Sequence, residues 1–252
     1  MNKSTAVETI KTFAKRCLPR GIEREREADL FKETHINRAL RKLHGHTYVE
    51  IGVRTGKAFV QIEAPRKIGI DPAPKNFGSD LGSGEQFFQM PSDEFFSQHA
   101  EALFRDHRVD VALVDGLHEF EQALRDILHL EKYMSPGGVI FIHDCNPPTR
   151  KHAEVYDGGD WNGDVWKAAY YLTTCRRDLT FFTLNCDWGL GVLTGFRSST
   201  APESPSPETL AKCKSLDYSL LERKRRQILR LRPAWYSRWF FRFLHNAFPA
   251  ES

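Results

Sequence analysis

The chain has no long apolar run, no paired-cysteine motif and no strong excess of either charge, and each absence narrows what it can be. Nowhere is there a stretch of about eighteen apolar residues, so no membrane-spanning helix is expected. The N-terminal sequence MNKSTAVETIKTFAKRC holds no apolar core of the kind a signal peptide needs. The five cysteines (Cys17, Cys145, Cys175, Cys186, Cys213) are odd in number, widely spaced and include no C-x-x-C pair. That argues for reduced thiols in a cytoplasmic protein over a disulfide framework or a zinc site. A net charge of +3 over 252 residues is too small by itself to call for nucleic acid. Two phosphate-binding signatures are also missing. A P-loop needs four residues between its glycines and then Gly-Lys-Ser/Thr, whereas three separate Gly52 from Gly56 and Ala58 follows Lys57. A dinucleotide fingerprint begun at Gly52 would need glycine where the chain has Arg54 and Lys57.

What is present is an ordinary globular composition, 40% apolar and 27% charged, long enough for one α/β domain with appendages. Its organising stretch is HTYVEIGVRTGKAFVQIEAPRKIGID, from His46 to Asp71. Tyr48–Ile51 reads as a buried strand, Gly52–Gly56 as a glycine turn, Lys57–Ile62 as a short helix and Lys67–Ile70 as a second strand ending on Asp71. An acid about 20 residues past such a turn is placed to accept hydrogen bonds from ribose hydroxyls. Glu50, just before the glycines, repels phosphate and suits a cationic ligand such as an amino acid's ammonium group. The plainer alternative is a tight turn in an α/β domain.

Apolar runs then alternate with helical patterns. Gln86–Met90 is a candidate third strand, followed by a turn and N-cap at Pro91-Ser92-Asp93 and a helix over Glu94–Phe104. Val109–Val114 is a strand ending at Asp115-Gly116-Leu117-His118, and a helix runs from Glu119 to Met134. Val139–Ile142 is a strand ending at His143-Asp144. After a loop, Asn146 to Asp160, a helix opens at Trp161 and extends to about Arg176. Leu179–Asn185 and Gly189–Phe196 form a hairpin. Such alternation implies a parallel sheet covered on both faces, with ligands bound outside the strands' carboxyl ends. Glu50, Asp71, Asp115, His118, His143 and Asp144 all fall at or just past those ends.

The pattern Glu50-x-Gly52-x-x-x-Gly56 resembles motif I of the class I S-adenosylmethionine (SAM) methyltransferases. Together with VDGLHEFEQALRDI, SPGGVIFIHDCNP and NGDVWK it is similar to the branch that includes metal-dependent sugar O-methyltransferases, over roughly Thr47 to Phe196. The resemblance implies a Rossmann-like α/β fold with a seven-stranded sheet, the last strand antiparallel, and helices on both faces. It implies SAM as cofactor, with Glu50, Gly52, Thr55 and Gly56 under its methionine part and Asp71 on its ribose. Met90, Ser92 and Asp93 inherit the adenine, though helix capping explains Ser92 and Asp93 equally well, and Asp115 also borders the cofactor. His118, three residues after Asp115, is the leading general base, the alternative being a histidine that caps its helix or touches SAM. Asp115 and Asp144 end neighbouring strands and can hold magnesium or another divalent ion. The relatives have a second acid where this chain has His143. That residue is then a further ligand suited to manganese, iron or zinc, a second base, or a core histidine.

The remaining segments flank this domain, taken as residues 46–197. Residues 4–17 and Ile22–Leu43 have helical spacing and pack on the sheet edge or form a lid. Asp164 can reach the acceptor or favour a helix N-terminus. After a linker over 198–207, residues 208–252 hold a helical pattern over Glu208–Leu231 with the basic run Glu222-Arg223-Lys224-Arg225-Arg226, then a stretch from Pro233 to Leu244 that combines aromatics with arginines. The reading preferred is a helix folded back on the domain or on a second subunit, giving a homo-oligomer. Peripheral membrane contact is the alternative, and nucleic acid is not expected. The acceptor implied is a small molecule, a sugar or glycoside. A rival from another class is a SAM-binding scaffold that does no chemistry and works through its tail.

Overall fold

Strands rich in Val, Ile and Phe without polar alternation must be covered on both faces, and their backbone groups must be paired by neighbours. The protein meets both demands with one sheet, seen in a computed structural model that describes residues 29–78, 80–154, 156, 161–197 and 204–247. The helix expected over residues 4–17 and most of the linker lie outside the described residues. In chain order the first half contains α1 (Lys32–Leu43), β1 (Thr47–Ile51), β2 (Arg66–Ile70), β3 (Glu85–Phe88), α2 (Ser92–Gln98), α3 (Ala100–Phe104), β4 (Val109–Val114) and α4 (Phe120–Glu131). The second half contains β5 (Met134–Ile142), α5 (Arg150–Glu154), α6 (Trp166–Cys175), β6 (Thr180–Asn185), β7 (Leu190–Thr194), α7 (Pro207–Lys214), α8 (Tyr218–Ile228), β8 (Arg232–Pro233) and α9 (Tyr236–Ala247).

The strand order is β3-β2-β1-β4-β5-β7-β6-β8. Strands β1 to β5 pair in parallel, and β7 runs against both β5 and β6. The expected seven strands become eight because the tail adds β8 to the free edge of β6, pairing Leu184 with Arg232 and Asn185 with Pro233. An exposed edge accepts such a strand, and proline is tolerated there because one side needs no N–H. One face carries α2, α3, α4, α6 and the α7–α8 pair, with Phe95, Phe104, Phe120, Trp166, Tyr218 and Leu221 buried. The other carries α1 and α9, with Ile36, Leu40, Tyr48, Phe141, Phe241 and Leu244 buried. The tail therefore does fold back on the domain.

Several boundaries differ from the sequence reading. The helix expected over Lys57–Ile62 is a single 3-10 turn, Phe59–Gln61. The third strand is Glu85–Phe88, and the helix after it breaks at His99 into two. Helix α2 has Pro91 at its N-cap with no side-chain cap, so neither Ser92 nor Asp93 caps it. A helix, α5, stands inside the stretch read as loop. The helical pattern over Glu208–Leu231 is realised as two helices, α7 and α8, the second started by Asp217, whose carboxylate accepts from the Ser219 N–H at 2.9 Å.

Arg176, at the end of α6, ties that helix to α4. Its guanidinium donates to both oxygens of Glu131 at 2.7 and 2.5 Å, with the residues 8% exposed on each side. Asp178 accepts two further bonds at 3.0 and 2.7 Å. Removing the arginine strands a buried carboxylate, which costs far more than losing an exposed pair such as Arg41–Glu63. Urea unfolding should show Arg176→Ala destabilised by about 3 kcal/mol, and Arg41→Ala by less than about 1 kcal/mol.

Candidate active site

The sheet ladder does not stop at the last strand residues but pins the site residues beyond them. The Gly52 N–H donates to Ile70 at 2.8 Å, Asp71 to Phe88 at 3.1 Å, Asp115 to Ile51 at 2.9 Å and His143 to Val114 at 2.9 Å. The ends of five strands, β3, β2, β1, β4 and β5, are thereby held side by side. Gly52 has φ +90°, and a Cβ there would lie 2.0 Å from the Asp115 carbonyl oxygen, so only glycine lets the first turn pass this close to β4.

Into this edge project four carboxylates and three cationic groups. His143 is buried, its Nδ1 3.0 Å from Asp115 Oδ1 and 2.8 Å from Asp144 Oδ2, and its Nε2 3.4 Å from Asp187 Oδ1. Burial favours a neutral ring, but the charges of Asp115 and Asp144 prevail and hold its pKa well above the usual histidine value. His143 is thus a bridging cation between acids, with both nitrogens turned to carboxylates. Lys32, from the start of α1, brings its Nζ to 3.2 Å from Asp115 Oδ2 and 4.0 Å from Asp187 Oδ2. Burial works against its charge, and Asp115 and Asp187 more than reverse that, so its pKa lies above the ordinary lysine value. Asp115 is pulled well below the usual carboxylate range: burial alone would raise it, but His143 and Lys32 win. Glu50 is the exception. It is 2% exposed, accepts the Tyr48 hydroxyl at 2.7 Å, and burial pushes its pKa up to about 8.

His118 is oriented by a segment far along the chain. Its Nδ1 lies 2.8 Å from the Trp161 carbonyl oxygen, and since a carbonyl only accepts, Nδ1 carries the proton. Nε2 is left facing Asp144 Oδ2 at 3.2 Å and Asp115 Oδ1 at 3.7 Å. Burial opposes a charge on this ring, but the Asp115 bond and the nearby acids raise its pKa. The indole of Trp161 stacks on the imidazole at 5.4 Å. The Asp164 N–H donates to the His118 carbonyl at 3.2 Å, while Asp164 Oδ1 accepts the Phe120 N–H at 2.6 Å. Asp164 therefore caps α4 rather than its own helix. Gly163 has φ +61°, and a Cβ would lie 1.7 Å from the His118 carbonyl oxygen. Asn162, fully buried, donates from Nδ2 to Asp144 Oδ1 at 2.6 Å, and its Oδ1 has no partner. Asp144 itself sits at φ +61°, an uncommon conformation for a residue with a side chain, which aims its carboxylate at both histidines.

The other sequence candidates lie along the same edge. Asp71 accepts the Arg54 N–H at 2.6 Å and the Ala73 N–H at 2.8 Å, so its carboxylate is fixed by the first turn and by its own loop. Thr55 is exposed on that turn and Gly56 is buried at φ +73°. Met90 is half-buried against the core. Ser92 is buried and donates to Asp126 Oδ1 at 2.6 Å, a carboxyl raised by burial to about 6. Asp93 is exposed beside Arg125, 3.3 Å away. Asp115, His118 and Asp144 offer ligand atoms within 4.8 Å of one another, close enough for one metal ion. Sequence reasoning missed Lys32, Asn162 and Asp187. Asn162 stands in the NGDVWK motif and Asp187 in the hairpin turn Cys186-Asp187-Trp188 that the topology returns to the strand ends; Lys32 carried no signal.

Residues 49–145 match the family model described as "Methyltransferase domain". No curated protein matches the sequence. Among solved structures, the chain is similar to the MycE methyltransferase of the mycinamycin biosynthetic pathway, in complex with Mg, SAH and mycinamycin VI. The identity is 16% and the TM-score 0.45, covering 68% of this chain and 51% of that one. It thus spans about half the length of that relative. An O-methyltransferase family protein from Burkholderia thailandensis matches at 12% identity, TM-score 0.44, over 69% of this chain and 55% of that one. An SAH-bound methyltransferase from Podospora anserina matches at 14% identity, TM-score 0.48, over 77% and 96%.

The protonated Glu50 gives a pH signature. Its pKa rises from 4.5 unfolded to about 8 folded, so the folded state binds the extra proton between those values. Stability is then highest at or below the lower value and falls as pH climbs through the upper one. Urea unfolding at pH 5 and pH 8 should show a loss on the order of 3–4 kcal/mol in the parent that Glu50→Gln does not show.

Proposed function

With residues 49–145 matched as a methyltransferase domain, we propose that the chain transfers a methyl group from SAM to a hydroxyl of a small polyhydroxylated acceptor, a sugar or glycoside. The observation that carries this reading is His118 with Nδ1 locked on the Trp161 carbonyl and Nε2 turned toward Asp115 and Asp144. The sulfonium of SAM is already activated, so in-line transfer needs the acceptor positioned and its proton removed. A sugar hydroxyl holds its proton tightly, and an imidazole with one nitrogen fixed and the other facing the reaction edge is the group to take it. The acids around Nε2 stabilise the imidazolium that results. Because the same acids raise the pKa of His118, the pH at which the ring becomes a free base moves up, and the rate should follow that deprotonation.

The cofactor's ammonium would lie near Glu50, which would release its proton to pair with it, over the first turn, Gly52, Thr55 and Gly56. Asp71, whose oxygens retain lone pairs beyond their backbone bonds, would take the ribose hydroxyls. Met90, Ser92 and Asp93 would border the adenine. A divalent ion fits the two carboxylates that lie close together, beside the buried, unpartnered Oδ1 of Asn162, and leaves the His118 Nε2 free as base. Asp115 and Asp144 would hold it, and when bound it would lower the pKa of the acceptor hydroxyl. A reaction without metal is favoured by a different observation. His143 already sets a positive charge between the same two carboxylates.

The test is SAH release with a panel of free sugars and glycosides, alongside calorimetry with SAM. His118→Ala should lose about 10²- to 10⁴-fold in rate and keep its SAM affinity. Full activity in that variant would remove the base assignment, and no affinity of the parent for SAM or SAH would remove the whole reading. Treatment with a chelator should abolish activity, with magnesium or manganese restoring it. Indifference to the chelator assigns the positive charge of the site to His143.

A further inference from the structure

Helix α9 is pinned by one face and leaves the other unused. Ser237, Phe241 and Leu244 point inward and are at most 2% exposed. Ser237 Oγ receives Arg38 at 2.6 Å and faces His35 Nδ1 at 2.8 Å, and Arg238 Nε meets Asp29 Oδ2 at 2.8 Å. That fixes the helix's rotation. On the outside stand Trp235, Trp239 and Phe243, spaced one helical turn apart and 59%, 53% and 44% exposed. The Trp239 and Phe243 rings touch at 5.6 Å. Leu30 and Phe31, 53% and 57% exposed, follow directly on the Asp29 that Arg238 holds.

Charge distinguishes this face from an ordinary protein interface. From Arg223 to Ala250 the sequence has 8 basic residues and 0 acidic ones. Arg225, Arg230 and Arg238 are tied to Asn146, Thr173 and Asp29, which leaves Arg232 and Arg242 as the cations shown against this face. Arg232 and Arg242 are exposed, lie against Tyr236 and Phe243 at 5.3 and 5.8 Å, and have no acidic partner among the described residues. A row of large aromatics rimmed by unpaired arginines on a short amphipathic helix matches the boundary of an anionic bilayer. There rings enter the headgroup region and guanidinium groups meet phosphates. No helix among the described residues is long and apolar enough to cross a membrane.

We propose that the outer face of α9, with Leu30 and Phe31 beside it, docks the protein on an anionic membrane surface. The docking face is one residue from the site, since Phe31 precedes Lys32, whose ammonium reaches Asp115. A hydroxylated acceptor carried at the bilayer surface would therefore meet the strand ends from the docked side. The docking itself stands independently of the methyl-transfer reading.

The test is flotation of the full chain with vesicles of phosphatidylcholine alone or mixed with phosphatidylglycerol. Co-flotation is expected with the anionic vesicles only, weakened by added salt and accompanied by a blue shift of tryptophan emission. Trp239→Ser with Phe243→Ser, at exposed positions, should cut partitioning about tenfold or more with an unchanged circular dichroism spectrum. Arg232→Glu with Arg242→Glu should do the same. His118→Ala should float like the parent, so a failed methylation reading leaves this result intact. Absence of the parent from anionic vesicles overturns the proposal, as does equal partitioning by the aromatic variant. Retention of a single-stranded oligonucleotide without vesicle binding, or dissociation of an oligomer by the variant without vesicle binding, overturns it too.

Discussion

Carboxylates gathered at one buried edge must be paired or protonated, because an isolated charge there costs far more than the folded state can spare. Asp115, Asp144 and Asp187 are answered by His143 and Lys32, and Glu50 keeps its proton. This balance draws five segments together, beginning with the ends of β4 and β5. Helix α1 is anchored through Lys32, the β6–β7 turn through Asp187, and the approach to α6 through Asn162. The site is thus also a structural knot, and a change to one cation releases an acid that several elements share.

The same balance sets the chemistry. With His143 spent on bridging, His118 is the more exposed imidazole, its Nε2 turned to Asp144 and Asp115 and its Nδ1 held by a backbone carbonyl that cannot titrate. Gly163 and Asp164 clamp the His118 backbone from the opposite side. In the proposed reaction, a base held in this way at ring and backbone would lose little freedom when substrate arrives.

The tail is joined to this edge as well. Arg225 of α8 donates to Asn146 Oδ1 and to the Pro147 carbonyl, and Tyr218 donates to the same carbonyl, just past the end of β5. Asn146-Pro147-Pro148, which as sequence is only a rigid loop opening, is thereby the seat of the C-terminal helices. Edge pairing by β8 and burial of Phe241 complete the attachment. The surface that α9 presents outward therefore has a fixed relation to the strand ends.

Much of this could be read from residues in order. Unbroken apolar runs require a doubly covered parallel sheet, and residues that follow such runs necessarily collect at one edge. Hence Glu50, Asp71, Asp115, His118, His143 and Asp144 were legible as neighbours. The failures were local and physical. His99 divides a helix whose apolar pattern continues across it, and two residues suffice to add a strand wherever an edge is open. Lys32 and Asp187 are 155 residues apart and were invisible as partners. Side-chain charge along a chain says that a residue needs a counterion, not which one it will find. Residue order is enough to set the layers, the strand ends and the chemical types placed there, because periodicity and burial act within a single element. Tertiary structure alone decided that His143 bridges, that Trp161 orients His118 and that Asp164 caps α4. Those choices depend on distances of a few ångströms between segments brought together only when the sheet closes.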